Sequence, residues 1–322
     1  MARGDHQNDD DDFMDPPQRN RATGRRKEGD EKKKCTRNRA SQERLTSLTD
    51  RFTDNQKGAA AEMGMQAMMN VRCTNLVNPV CDWLGEIYDP AFREFVISGR
   101  GRLPLNKESV FCTLGVPRGQ IKVPYEVNNK IEEMLFPCLF PGLESMSNTS
   151  VLADSLQAMT THGEVFKMNL LMYLISAIFA PTTSLRPSNK CFPIPAKLKD
   201  VKNMNWCKFI ADFLPDAFSS KMYQKGCRLH LRLMYVDCLD LSTVDFTGTR
   251  GPPPTHKFVV SAWTIDAVKA VLAADRITDT KYGKLQLMAK HAIDYSVFGG
   301  PQNFGKWMDV HSAPSCPTEG TC

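Results

Sequence analysis

The feature that most limits what this chain can fold into is a change of texture near residue 55. Residues 1–55 hold few aliphatic or aromatic side chains, mainly Phe13, Leu45, Leu48 and Phe52. Such a segment buries too little surface to offset an ordering entropy of about 1–2 kcal/mol per residue for the backbone alone. It is expected to be a disordered acidic and basic tail, with at most a nascent helix near Ser41–Phe52. Order is expected from around Glu62. Residues 56–290 read as a helical domain and 291–322 as a flexible C-terminal tail.

Within the body, apolar residues return with the period of a helix. Val77, Val80, Leu84, Ile87 and Tyr88 form one stripe, opened by Asn78-Pro79 and closed at Asp89-Pro90. Phe92–Ile97 and Leu103–Leu105 flank Ser-Gly-Arg-Gly and predict a short hairpin. Asn106 is placed to cap a helix that stops at Gly115. Further helices are expected over Val127–Leu135, Val151–Met159 and Val165–Ala180. The clearest amphipathic pattern is Asn205–Phe218, in which Trp206, Phe209, Ile210, Phe213, Leu214, Ala217 and Phe218 share a face. Pro215 is expected to kink or break it. Cys227–Leu233 alternates like a strand, but the longer stripe through Met234, Cys238 and Leu241 favours a helix. Trp263–Leu272 is the last. The fold class is therefore mainly α, a multi-helix domain with a short β-hairpin behind a basic tail.

Charge is unevenly placed. Ten Lys/Arg stand between Arg19 and Arg39 against Glu28, Asp30 and Glu31, while the whole chain carries a formal +5. The body is close to neutral, so its total charge does not call for nucleic acid. The eleven cysteines are odd in number and irregularly spaced. No secretory apolar region stands before them, and reduced thiols are the expectation. Cys81, Cys207 and Cys238 lie in apolar patterns, where a thiol acts as a small hydrophobe. Leu170–Ala180 is nearly all apolar, yet far short of the roughly 20 residues a bilayer span requires. A soluble chain is expected, with a buried helix there.

Motifs that would announce a reaction are missing: no Gly-x-Ser-x-Gly, no phosphate loop, no His-Glu-x-x-His, no Cys-x-x-Cys. Cys227, His230 and Cys238 come nearest to a metal set. Structural zinc wants four ligands in two tight pairs, so a core thiol and a helix-surface histidine are favoured there. His162, His230, His256, His291 and His311 are each formally eligible as a base, and nothing raises one above the others. No cofactor, catalytic residue or metal site is expected. The feature with a mechanism is the pair of basic blocks Arg25-Arg26-Lys27 and Lys32-Lys33-Lys34. Their spacing suits a nuclear import receptor, and they would hold phosphates weakly.

The order of several blocks resembles the aminotransferase-like plant mobile domain family, of transposon-derived character and expanded in grasses. These are Met63–Met69, Leu76–Leu84, Tyr88-Asp89-Pro90, Phe95–Arg100, Thr113–Pro117, Ala180–Ser184, Asn205–Phe209 and Ser261–Thr264. The resemblance spans roughly residues 62–290. It departs from the family where Gly-Phe-Gly-hydrophobic becomes Gly64-Met65-Gln66. It implies a helix at Cys227–Leu241 and transfers no catalytic residues; some relatives carry a cysteine protease domain for ubiquitin-like modifiers, which this chain lacks.

These features together give an expected nuclear, non-enzymatic binding module acting through protein partners or chromatin. One alternative is the substrate-recognition module of a modifier protease without its catalytic domain. Another is a DNA-binding transposase remnant, for which Arg93, Arg100, Arg102, Lys107 and Arg118 are the candidate face.

Overall fold

The computed structural model describes residues 42–74, 78–184, 186–222 and 225–288. Helices α1 (Gln42–Asp50) and α2 (Asp54–Glu62) open it. Leu45, Leu48 and Phe52 are buried, and the Phe52 ring meets Phe166 edge-on at 5.2 Å. Thr53 caps α2 in a reciprocal box with Gln56, whose side-chain amide also donates to the Met159 carbonyl at 2.9 Å. The folded body therefore starts before residue 55, and the expected tail boundary moves back to α1. Three apolar residues spaced i, i+3, i+7 suffice because they close over a surface that later helices supply.

Helix α3 (Asn78–Glu86) leads into β1 (Tyr88–Asp89), β2 (Glu94–Ile97) and β3 (Gly101–Pro104), an antiparallel sheet in the order β1-β2-β3. Phe95 pairs with Tyr88 on one side and Leu103 on the other. The expected hairpin is thus joined by a third short strand. Helix α4 (Lys107–Leu114) is capped by Asn106 and stopped by Gly115 at φ 64°. A Cβ at Gly115 would lie 2.6 Å from the Phe258 ring and 2.7 Å from Ala67, so only glycine allows that closure.

Helices α5 (Asn129–Leu139), α6 (Thr149–Ala158) and α7 (Glu164–Leu174) follow. A π turn, Ile175–Phe179, continues α7, and every residue from Asn169 to Ala180 is buried. This is the expected buried helix. No helix among the described residues is long and apolar enough to cross a membrane. After the 3-10 stretch Pro195–Asn203 come α8 (Trp206–Ser219), α9 (Arg228–Asp237) and α10 (Ile265–Asp275). The molecule is mainly α with one small sheet. Residues 276–288 add no helix but return across the body. The backbone amide of Asp240 donates to the Gln286 carbonyl at 2.8 Å, that of Met288 to the Cys238 carbonyl at 2.9 Å, and the Arg100 guanidinium to the Leu285 carbonyl at 3.0 Å.

Contrary to the expected break, α8 runs through Pro215 to Ser219. Proline lacks the N–H that would bond the carbonyl four residues earlier, that of Ala211. The Arg93 guanidinium takes that place, donating to Ala211 O at 3.0 Å and pairing with Asp212 at 2.8 Å. Arg93→Leu should destabilise the fold by about 1–3 kcal/mol in urea unfolding, by orphaning that acceptor. Adding Pro215→Ala should restore part of the loss by returning an N–H. Equal losses in the single and double variants would show that Arg93 acts only through Asp212.

Candidate functional site

Side chains able to do chemistry concentrate on α9. Its sequence, Arg-Leu-His-Leu-Arg-Leu-Met-Tyr-Val-Asp, looks like a strand because polar and apolar residues alternate. It forms a helix because α3, α4, α10 and the 259–261 turn pack around it, and every residue from Arg228 to Val236 is buried. A helix enclosed on all sides must give each polar group a partner inside the protein. Arg228 pairs with Asp82 at 2.9 Å, and its carbonyl accepts from the Cys81 thiol at 3.6 Å. Arg232, with no exposed surface, lies against the Cys73 thiol. The Tyr235 hydroxyl donates to Asp275 at 2.6 Å, and the same carboxylate accepts from the amides of Gly283 at 3.1 Å and Leu285 at 2.8 Å. At the end of the helix, Asp237 accepts from the Trp263 indole at 2.8 Å and lies 3.0 Å from His256 Nε2.

Burial sets the protonation states of this cluster. Burial pushes the Cys227 thiol up to about 12, and raises Cys73 and Cys81, so none is a thiolate at neutral pH. Burial likewise lifts the Asp275 carboxyl, although Tyr235 and the backbone amides oppose it. Cys191 and Cys207 are held at about 12 by the same cause, and Cys207 donates to the Val116 carbonyl at 3.2 Å.

His230 departs from expectation. It is fully buried rather than on the helix surface, neither ring nitrogen has a hydrogen-bond partner among the described residues, and burial lowers it to about 3. Its grouping with Cys227 and Cys238 dissolves: those two cap opposite ends of α9, about 16 Å apart by helical rise. No three potential metal ligands come together among the described residues. Of the other histidines considered, His162 is exposed and His256 half-buried, while His291 and His311 lie outside the described residues.

Each of the five basic residues of the candidate nucleic-acid face contacts a neighbouring group, with Lys107 and Arg118 still exposed. Arg93 and Arg100 are held as above. Arg102 pairs with Glu94 at 3.5 Å and lies over the Phe92 ring, Lys107 is 3.6 Å from Glu108, and Arg118 stacks 4.2 Å from the Phe111 centroid. The structure brings four of them around the sheet and α4 but spends their charge on neighbours. Arg25, Arg26, Lys27, Lys32, Lys33 and Lys34 lie outside the described residues.

A surface that sequence reasoning missed is carried by α5. Leu135 and Leu139 face the core, yet Met134 (61% exposed), Pro137 and Cys138 lie outward, continued by Pro141. Among the described residues only the inward stripe of α5 is covered. The signal was present as Met134, Pro137 and Cys138 at i, i+3 and i+4, interleaved with the inward set.

A family model described as a domain of unknown function (DUF8566) matches residues 38–231. The chain belongs to that family. No curated protein and no solved structure matches it. The DUF8566 match takes in the whole of α1, which agrees with α1 being part of the body. It ends at Leu231, inside α9, so α10 and the returning segment 276–288 lie beyond it.

Because His230 stays neutral when folded while an unfolded histidine titrates near 6.5, the unfolded chain gains a proton first as pH falls. Stability is therefore undiminished above about pH 6.5 and is lost progressively from there down toward 3. Between pH 7 and 5 the wild type should lose about 2 kcal/mol more than His230→Leu, measured by urea unfolding at each pH. Parallel curves for the two proteins would show that water reaches the imidazole.

Proposed function

We propose that this DUF8566 protein is a non-enzymatic nuclear binding module of mobile-element origin that acts through protein partners. The observation that carries the reading is a contrast within the folded body. Six of the eight thiols among the described residues, the imidazole of His230 and both α9 arginines are built into the interior, whereas α5 turns Met134, Pro137 and Cys138 outward. A solvent-facing apolar stripe is costly to keep unless something covers it. Nuclear residence is supported by the sequence of the two basic blocks, Arg25–Lys27 and Lys32–Lys34, and mobile-element kinship by the ordered blocks between residues 62 and 290. A protein partner is favoured over direct DNA contact by the body because the hairpin arginines already have internal partners.

Two experiments test the halves of this reading. The chain, fused to a tag too large for passive nuclear entry, should accumulate in the nucleus. Alanine at Arg25, Arg26, Lys27, Lys32, Lys33 and Lys34 together should spread it through the cytoplasm; unchanged accumulation removes the import role. The same six-alanine protein should lose the salt-dependent affinity of the wild type for mixed double-stranded DNA. Affinity that persists in the variant and falls steeply with salt would place a phosphate-contacting face on the body and favour a transposase remnant.

A further inference from the structure

Between α9 and α10 the chain runs through Arg250-Gly-Pro-Pro-Pro-Thr-His-Lys. A proline ring fixes its own φ at about −65°, and a residue that precedes proline is kept out of the helical region. Pro252 and Pro253 meet both conditions. The conformation left to them is polyproline II, a helix with three residues per turn and no internal hydrogen bonds. The structure agrees: Gly251, at φ 89°, turns the chain into the segment, and Pro253 to His256 then run without a turn or bend.

Both ends are tied down. Thr249 Oγ1 accepts from the Gly251 amide at 3.0 Å and donates to the Phe246 carbonyl at 2.8 Å. His256 Nε2 lies 3.0 Å from Asp237, the carboxylate that also holds the Trp263 indole. Between these anchors Pro252, Pro254 and Thr255 are exposed and Pro253 is half-buried. Among the described residues no hydrogen bond uses a carbonyl from Pro252 to Thr255. The prolines have no N–H, so the segment presents apolar rings and open acceptors to water. Prolines that only stiffen a connection can be covered, as Pro193 and Pro195 are. Exposed pyrrolidines with open carbonyls are instead the negative image of an aromatic groove, whose rings pack on the prolines while indole or phenol donors reach the carbonyls.

We infer that segment 252–255 docks a partner domain whose aromatic groove takes one X-Pro pair, as the groove of a WW domain does. The inference rests on the interaction-module reading and names the chemistry of its partner. The segment is rigid before it binds, so docking forfeits little conformational freedom. From Pro252 to Thr255 it spans about 9 Å, one turn of polyproline II. A longer groove is the poorer fit, because Pro-x-x-Pro is absent: three residues beyond Pro252, Pro253 and Pro254 stand Thr255, His256 and Lys257. Arg250 is exposed and in no ion pair among the described residues, and Lys257 is exposed, 5.4 Å from the Phe258 ring centroid. Cations at both ends call for carboxylates on the rim of the groove.

The test uses the full chain and a fluorescently labelled WW domain of the kind that reads a proline run beside arginine. A second form of the domain lacks its groove tryptophan. In fluorescence anisotropy at physiological salt the intact domain should bind saturably and the second form should not. Pro252→Ala with Pro254→Ala should weaken binding roughly tenfold or more. Arg250→Glu, which keeps all three prolines, should weaken it as well. Both variants keep Thr249, Gly251 and His256, so their thermal unfolding should stay close to wild type. An SH3 domain, whose groove takes two X-Pro pairs, should bind more weakly than the WW domain by about tenfold or more. No saturable WW binding, binding that ignores either variant or the missing tryptophan, or an SH3 domain that binds as tightly, overturns the inference. Photo-cross-linking residues at positions 134 and 255, read in cells, separate this site from the reading beneath it. Protein adducts at 134 without WW binding remove only the polyproline site; adducts at neither position remove the interaction module with it.

Discussion

The guanidinium of Arg228 is 4% exposed on α9 and is balanced by Asp82 on α3 at 2.9 Å. A charge placed that deep costs several kcal/mol in lost hydration, and opposite charge with good geometry is what offsets it. This pair joins α3, early in the body, to one of the last helices, and the packing around α9 is built on it. With Arg228 directed to α3, Arg232 one turn on lies toward Cys73, and Tyr235 reaches Asp275 on α10. Trp83 then closes against Tyr235 and Tyr282, at 5.3 Å and 5.8 Å between centroids. A core seamed by polar contacts is less adaptable than an all-apolar one, since every partner must be present at once.

The second constraint is a proline. Pro215 in α8 frees one carbonyl, and a residue with positive φ, Arg93 at 57°, brings a guanidinium to it from the sheet. A strained backbone position just before β2 is thereby tied to a helix defect far along the chain. The charge that a basic hairpin shows in sequence is turned inward to hold the sheet on α8, and its surface is left close to neutral.

How much of this was legible differs by element, and for physical reasons. Asn106 and Gly115 bounded α4 correctly because capping is a local chemistry that sequence carries whole. Cys227–Leu233 could be read only through the longer stripe to Leu241, because a helix buried on all sides has no polar face to mark its period. Helix α1 was read as no more than nascent, since Leu45, Leu48 and Phe52 are too sparse to signal a stable helix alone; their worth comes from partners such as Phe166, which lies far off in the chain. The continuation of α8 past Pro215 depends likewise on a guanidinium more than a hundred residues away. His230 was misplaced because alternation puts it among polar neighbours, while packing from four sides leaves none of them on the surface. At the candidate sites, residue identity announced the basic blocks and the hairpin arginines. It did not announce which charges would find internal partners.

That distinction bears most directly on function. Counting Lys and Arg treats every cation as available, yet a guanidinium bonded to a carbonyl or stacked on a ring must give up that contact before it can meet a phosphate. The loss of a charge-assisted hydrogen bond, about 1.5–3 kcal/mol, is comparable to what one new contact would return. The hairpin cations therefore contribute little net attraction, whatever their number. The densest positive charge in the sequence lies instead from Arg19 to Arg39, where ten basic residues meet three acidic ones.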